Sequence, residues 1–430
     1  MKSKSNEPVD YRKNMKITIC TFLIITLFTV QVFAQSKGTL KTAPVQVSLI
    51  TPIGTNGANS INTVNNLSFN IFAGYHAGLE GAEFGEIANL NRDFMRGFQF
   101  AGITNYTGGS ASGAQFAGIT NINLGTTNAF QFAGITNINH SDSRVFQFAG
   151  ITNVTLGSTQ IFQGAGIVNF TMGTSNLIQA AGIANYAHEI QGAQLGGITN
   201  FALKNVQGIQ IAGIVNAGKS VKGAQIAGVV NATEKIEGVQ IAGIVNVARK
   251  VNGIQLGVIN VADSISSGVP IGVVSFVRNG FNEFEIGFSE GFNTYGAFKL
   301  GVHKFYNIFS IGTQFLNNFR WGLGYGIGTH LANTEKYKMN LEVISYHINE
   351  GSSWTKDYNA LEQIKFTYAG VINQHTDFFV GPTFNLMVSK YAGSDGKKGS
   401  EFAPYHFTNH MSGNSNLKFW MGLTAGLRIH

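Results

Sequence analysis

Glu283, Glu285 and Glu290 stand close together in the chain, and paired carboxylates are a common means of general acid–base catalysis. As the charged face of a strand, however, they need no further role. WGLGYGIGTH at 321–330 superficially resembles a phosphate-binding glycine loop. Its glycines, Gly322, Gly324, Gly326 and Gly328, fall at every second residue and no helix pattern follows, which predicts a strand with a glycine-lined face. The ten histidines are scattered, without the H-x-x-x-H or H-E-x-x-H spacing that holds a metal. SDGKKGSE at 394–401 carries acidic residues but lacks calcium-loop spacing, and reads as a solvated loop. No G-x-S-x-G nucleophile turn occurs. The sequence therefore predicts a protein that is not an enzyme, with no catalytic residues, no cofactor and no metal ligands.

The elements that carry these residues are unusual in composition. Of 430 residues, 54 are Gly, only six are Pro, and 12% are charged, about half the share usual in a soluble protein. Glycine at this level without a G-X-Y rhythm excludes collagen, and 44% apolar residues argue against disorder. Either much of the surface meets something other than water, or uncharged polar groups cover it. Lys13 and Lys16 precede an apolar run from Ile17 to Phe33, and Val32-Phe33-Ala34 resembles a small-residue cleavage site. Residues 1–34 read as a cleaved export signal, with translation starting at Met1 or Met15. Cys20, the only cysteine, lies inside that run, so the mature chain has neither disulfides nor thiol chemistry. The net charge of +7 is partly the signal's own, and no basic run with interleaved aromatics suggests nucleic acid.

The dominant feature is a repeat. FQFAGITN occurs at 98–105, 130–137 and 146–153, and variants continue the pattern. A glutamine recurs at Gln99, Gln115, Gln131, Gln147, Gln163, Gln179, Gln194, Gln210, Gln225, Gln240 and Gln255, with an asparagine following from Asn105 to Asn260. GAEFGEIAN, with Glu83 and Asn89, reads as a degenerate opening copy. Such a period means units that cannot bury their apolar faces alone. β-Branched and aromatic residues dominate each copy, so the units are strands. Simple alternation places Phe98, Phe100, Gly102, Thr104 and Tyr106 on one face, with Gln99, Ala101, Ile103 and Asn105 on the other. Neither face is clearly polar, so both are expected to be at least partly covered.

Two architectures fit. In a β-solenoid each copy is one coil, the Ala-Gly step is a corner, and Gln and Asn stack into hydrogen-bonded ladders. Segments such as LGTTN and LGSTQ would then form an exposed Ser/Thr/Asn surface. Alternatively each copy is one strand of a continuous antiparallel transmembrane barrel of roughly 20 strands. The would-be lumen face offers only Gln, Ala, Ile and Asn, which favours the solenoid. Asn105, Asn153, Asn169 and Asn231 fall in N-x-S/T patterns, but their recurrence marks them as structural amides rather than glycosylation sites.

From about residue 281 the texture changes to eight segments of period two. Phe284, Ile286 and Phe288 open the apolar face, and Phe419, Met421, Leu423, Ala425, Leu427 and Ile429 close it. Opposite stand Lys299, the glycines of 322–326, Lys365, Thr383, Thr424 and Arg428. This suits a small outer-membrane barrel, with a soluble β-sandwich or closed meander as the alternative.

The G-x-Q-x-A-G-I-x-N repeats resemble a bacterial surface-repeat family of spirochaetes and Bacteroidota. So do VSLITPIGTNG and NIFAGYHAGLEG before them and GVPIGVVSFVRNGFNEFEIGFSE after them, a resemblance spanning roughly 45–330. It implies an exported protein at the outer membrane or cell surface, and brings no activity or functional residue. The expected organisation is an all-β chain: signal 1–34, N-terminal cap or lead-in strands 35–80, repeat array 81–275, and an antiparallel β domain 276–430. The segment 45–80 and the C-terminal strands are the expected caps of the array. The expected role is a non-enzymatic structural or interaction protein of the envelope, held to outer-membrane lipid by its C-terminal strands. An outer-membrane channel is the alternative. Ligand and oligomeric state are not legible.

Overall fold

A computed structural model describes residues 39–315, 319–351, 353–392 and 398–430. The expected signal at 1–34, with Met15 and Cys20, lies outside the described residues, as do residues 394–397 of SDGKKGSE. About 75% of the chain is strand, forming a parallel β-solenoid of about 13 turns and then a nine-stranded antiparallel sheet.

The repeat register dictates the solenoid. Every copy pairs in parallel with the next, like on like: Gln115 opposite Gln131, Asn121 opposite Asn137, Gln225 opposite Gln240. The single barrel of roughly 20 strands is therefore not formed, because it needs neighbouring copies to run antiparallel. A coil has three segments. Phe98–Ala101 of the first bends at Gly102-Ile103 into Thr104–Thr107, and a third leads through Ser110 to the next Gln strand. The bend requires glycine because coils approach backbone to backbone there: a Cβ on Gly134 would lie 2.1 Å from the Gly118 carbonyl oxygen.

That corner corrects the alternation drawn from sequence. Gln99, Ala101 and Asn105 point inward as expected, but Ile103 points outward beside Gly102, because two successive residues span the bend. The connecting segments are also not wholly surface: Thr127, Ser143, Thr159 and Ser175 are buried and stack in parallel bridges. The outward face is partly covered: outward side chains of the second segment are mostly half-buried, and those of the first are half-buried or exposed.

Coiling begins before the recognisable copies. Lys41–Ile50 pairs in parallel with Thr63–Gly85, which in turn pairs with Ala88–Ala101. A short antiparallel strand at Ile53–Gly54 lies against Ser48 and Ile50 on the first coil. Val274–Val277 is the last coil strand.

The second sheet closes on itself. Phe281–Ser289, Thr294–Val302, Phe305–Gln314, Arg320–Asn333, Tyr337–Asn349, Asn359–Asn373, Thr376–Ser389 and Ser415–Ile429 pair in chain order, and the last pairs back to the first. The result is an eight-stranded barrel, with Thr408–Ser412 as an extra strand on the last. These strands coincide with the eight alternating segments of the sequence. The glycines of 322–328 make room inside for rings: a Cβ on Gly324 would lie 2.5 Å from Tyr346, and one on Gly328 2.4 Å from Tyr306. The last coil abuts the outer wall of this barrel. Asn307, which alternation turns outward between Tyr306 and Ile308, is buried there and donates to the Gly272 carbonyl at 2.7 Å, and Val302 packs against the apolar cluster of the later coils, to which Val277 belongs.

Candidate functional site

Each carboxylate first considered for catalysis is engaged in the barrel interior. Lys299 Nζ lies 3.0 Å from Glu283, 2.5 Å from Glu285 and 2.6 Å from Glu342. Lys365 Nζ lies 2.7 Å from Glu285, and Arg428 Nε 2.8 Å from the same carboxylate. Three cations thus face three carboxylates, all buried, so the cluster is neutral and closed. Glu290, apart from them, accepts from Asn385, Trp420 Nε1 and the Leu423 amide. The sequence showed the charged face but not the pairing, because partners such as Glu285 and Lys365 lie 80 residues apart.

Glu283, Asp377 and His430 bring ligand-type atoms within 4.8 Å of one another. Lys338 Nζ already occupies this corner, 2.7 Å from Asp377 and 2.8 Å from His430, so a cation is supplied by the chain itself. No metal chemistry follows from the trio.

The solenoid interior is a pair of amide columns. Each Gln donates Nε2 to the Oε1 of the preceding copy, as Gln147 does to Gln131 at 2.9 Å and Gln240 to Gln225 at 2.8 Å. Each Asn donates the other way, as Asn137 does to Asn153 at 2.9 Å. The Gln column runs its donors toward the N-terminus and ends on an acceptor with no proton to offer, Glu83, which takes Gln99 Nε2 at 2.8 Å. Glu83 also accepts from Asn91 and Asn70 and lies 2.5 Å from His76. Burial by itself raises the Glu83 pKa, but the facing His76 and the hydrogen bonds from His76, Gln99 and Asn91 more than offset it, and the value ends below the ordinary 4.5. At the other end Pro270 stands at the Gln position and Ser275 at the Asn position, so both columns stop. The four asparagines in N-x-S/T patterns are completely buried, as structural amides must be.

The third segment fills what the amides leave. Thr127, Ser143, Thr159 and Ser175 share the middle coils with Asn123, Asn139, Thr155 and Thr171, whereas Ile190, Val206, Val221, Ile236 and Val251 share the later ones with Ala187, Ala202, Ala248 and Ala262. In the middle coils polar pairs with polar, and in the later ones the larger apolar residues face a small residue, alanine or, at Gly218 and Thr233, glycine or threonine.

What the first segment and the corner turn outward is apolar. On the first segment Phe100, Phe116, Phe132 and Phe148 form a ladder, with Phe116 and Phe132 stacked at 5.0 Å and Phe132 and Phe148 at 5.1 Å. Phe100 is 50% exposed. Along the corner runs a ridge from Ile103 through Ile119, Ile135, Ile151, Ile167 and Ile183, each near 40% exposed. The second segment turns outward rings such as Tyr106, Phe170, Tyr186 and Phe201 beside half-buried threonines, Thr104, Thr120, Thr136 and Thr152. From 98 to 277 every Asp, Glu, Lys and Arg, from Asp142 and Arg144 to Asp263, falls in the third segment. The solenoid is therefore a prism with one charged side, one apolar side and one uncharged side of mixed apolar and threonine residues, the last two meeting at the isoleucine ridge. The barrel wall is apolar likewise: Phe284, Ile286, Leu323, Ile327, Val343 and Leu427 are exposed. Among the described residues no helix is long and apolar enough to cross a membrane. Compared with known proteins, the chain matches no family model, no curated protein and no solved structure.

Proposed function

We propose that this chain is a non-enzymatic, exported cell-envelope protein, held at the outer membrane by its eight-stranded barrel, with the solenoid in a structural or interaction role. The observation that carries the reading is the inversion of the barrel. Its wall is apolar and exposed, while Lys299, Lys365, Arg428, Glu285 and Glu342 are buried within. A water-soluble barrel would reverse this, whereas a lipid-facing one requires an apolar exterior and internally satisfied polar groups. Strands of 9 to 15 residues match the span of a tilted transmembrane strand. The export signal expected at 1–34 and the resemblance to the surface-repeat family agree with this placement. A channel role has less support, because charged and aromatic side chains fill the barrel interior. Outer-membrane fractionation combined with heat-modifiability on a detergent gel tests the anchor. The protein should fractionate with outer membranes and migrate differently before and after boiling. A soluble protein with no detergent-resistant folded form would overturn the proposal.

A further inference from the structure

We propose that the solenoid itself lies on its side in the membrane, as a wedge whose isoleucine ridge faces hydrocarbon and whose charged side faces water. This rests on the reading of the barrel as the membrane anchor and adds a second, independent lipid contact to it.

Four observations converge. The first is charge segregation. Two of the three sides carry no formal charge from 98 to 277, yet their outward side chains are exposed or half-buried, with the isoleucine ridge between them exposed, and an uncharged occupant suits them. The second is polar satisfaction. Backbone groups on these sides bond coil to coil, and the Gln and Asn amides bond inside, so the first side offers lipid only apolar groups and the second adds only half-buried hydroxyls such as those of Thr104, Thr120, Thr136 and Thr152. A polysaccharide would find nothing to hydrogen-bond on the Phe side and along the isoleucine ridge, so acyl chains are the fitting occupant there.

The third is placement. The last coil contacts the barrel's outer wall through Asn307 and Val302 rather than plugging its mouth, which sets the solenoid beside the anchor. The fourth is size. About 13 turns stacked at about 4.8 Å extend roughly 60 Å, twice the hydrocarbon thickness of about 30 Å, which excludes an upright span. A side only four residues wide is about 13 Å across, close to the 5–10 Å depth to which interfacial elements sink. Between the Phe100–Phe148 ladder and the glycine corner runs a groove along the solenoid axis, lined by Phe, Ala and Gly. It is shaped for a chain lying lengthwise.

The test uses single cysteines in the mature chain, which lacks Cys20. Ile135→Cys reports the ridge, Asn128→Cys the charged side, and Val380→Cys the barrel wall. Each is labelled with an environment-sensitive fluorophore and reconstituted into phosphatidylcholine vesicles containing doxyl-labelled lipid. The expected result is loss of emission at 135 and 380 from the lipid quencher, and loss at 128 only from aqueous iodide. Quenching at 380 by lipid but at 135 by iodide would place the solenoid in water and overturn this inference while leaving the anchor intact. Absence of lipid quenching at 380 would overturn both. Protection of 135 from both quenchers would mean a protein partner, such as a second copy, covers the ridge. Lipid quenching at 128 would remove the sidedness. Either result overturns the wedge.

Discussion

The solenoid and the barrel both turn apolar side chains outward and polar ones inward, yet they satisfy the inward groups by different means. In the solenoid each coil presents the same amide to a near-identical neighbour one strand spacing away. An amide both donates and accepts, so one group type extends indefinitely without charge. Only the ends need a different residue, which is where Glu83 and Pro270 stand. In the barrel no position repeats, and donors such as Lys299 must be matched singly to acceptors such as Glu342. Repetition thus permits a neutral polar core, while a non-repeating wall that faces outward with apolar groups is closed by ions. The two amide columns also run in opposite directions, so their dipoles oppose one another rather than adding along the axis.

The comparison breaks most severely where one ion is removed. Lys365→Met leaves Glu285 with two cations and Glu342 with a weaker field, both still buried. A loss of about 3–5 kcal/mol is expected, as for other broken buried pairs. It should appear as a lowered unfolding temperature of the detergent-solubilised protein, read from the boiled-to-folded gel shift. A wild-type midpoint would mean the cluster contributes nothing to holding the barrel closed.

The next largest effect lies where the solenoid borrows the barrel's device. Glu83 accepts four hydrogen bonds, two on each oxygen, from Asn70, His76, Asn91 and Gln99. Glu83→Gln would replace one oxygen by an NH2 that faces donors, at a cost of about 2–4 kcal/mol. The pH dependence follows from the depressed carboxylate. Its contribution is complete above the ordinary value of 4.5 and is lost as pH falls through the lower folded-state value. Urea unfolding followed by circular dichroism should therefore show wild-type stability falling below pH 4.5 by more than that of Glu83→Gln. Parallel curves for the two proteins would remove Glu83 from its capping role.

Much of this was legible in the sequence, and what was not has a geometric cause. The identical spacing of Gln and Asn foretold like-on-like stacking, and period-two alternation foretold all eight barrel strands. Ile103 was misplaced because alternation was carried through the Ala-Gly step, although a corner resets which way residues point. Glu83 was recognised as a degenerate glutamine position, but its partner His76 lies seven residues earlier in the same strand, Thr63–Gly85, ahead of the recognisable copies. A lone acid at a ladder position was the available signal. The ion pairs of the barrel were invisible for a simpler reason: closure, not sequence proximity, brings Glu285 to Arg428.

The smallest effect is expected in mid-ladder, and its size measures how much slack repetition confers. Gln147→Leu removes the donor to Gln131 and the acceptor for Gln163. Both neighbours keep lateral partners, however. Gln163 Nε2 still donates to Thr155 at 3.0 Å, and Gln131 Oε1 still accepts from Asn139 at 2.7 Å. The loss should therefore fall toward the lower end of about 1–3 kcal/mol for an interrupted buried hydrogen bond. Gln147→Glu should cost more than leucine, although it is closer in shape. Its oxygens can accept from Gln163 and Thr155 but only repel the Gln131 oxygen, because the column's donors all run one way. Urea midpoints in the order wild type, leucine, glutamate would establish that direction. A glutamate variant as stable as wild type would mean the amides of the column are free to flip.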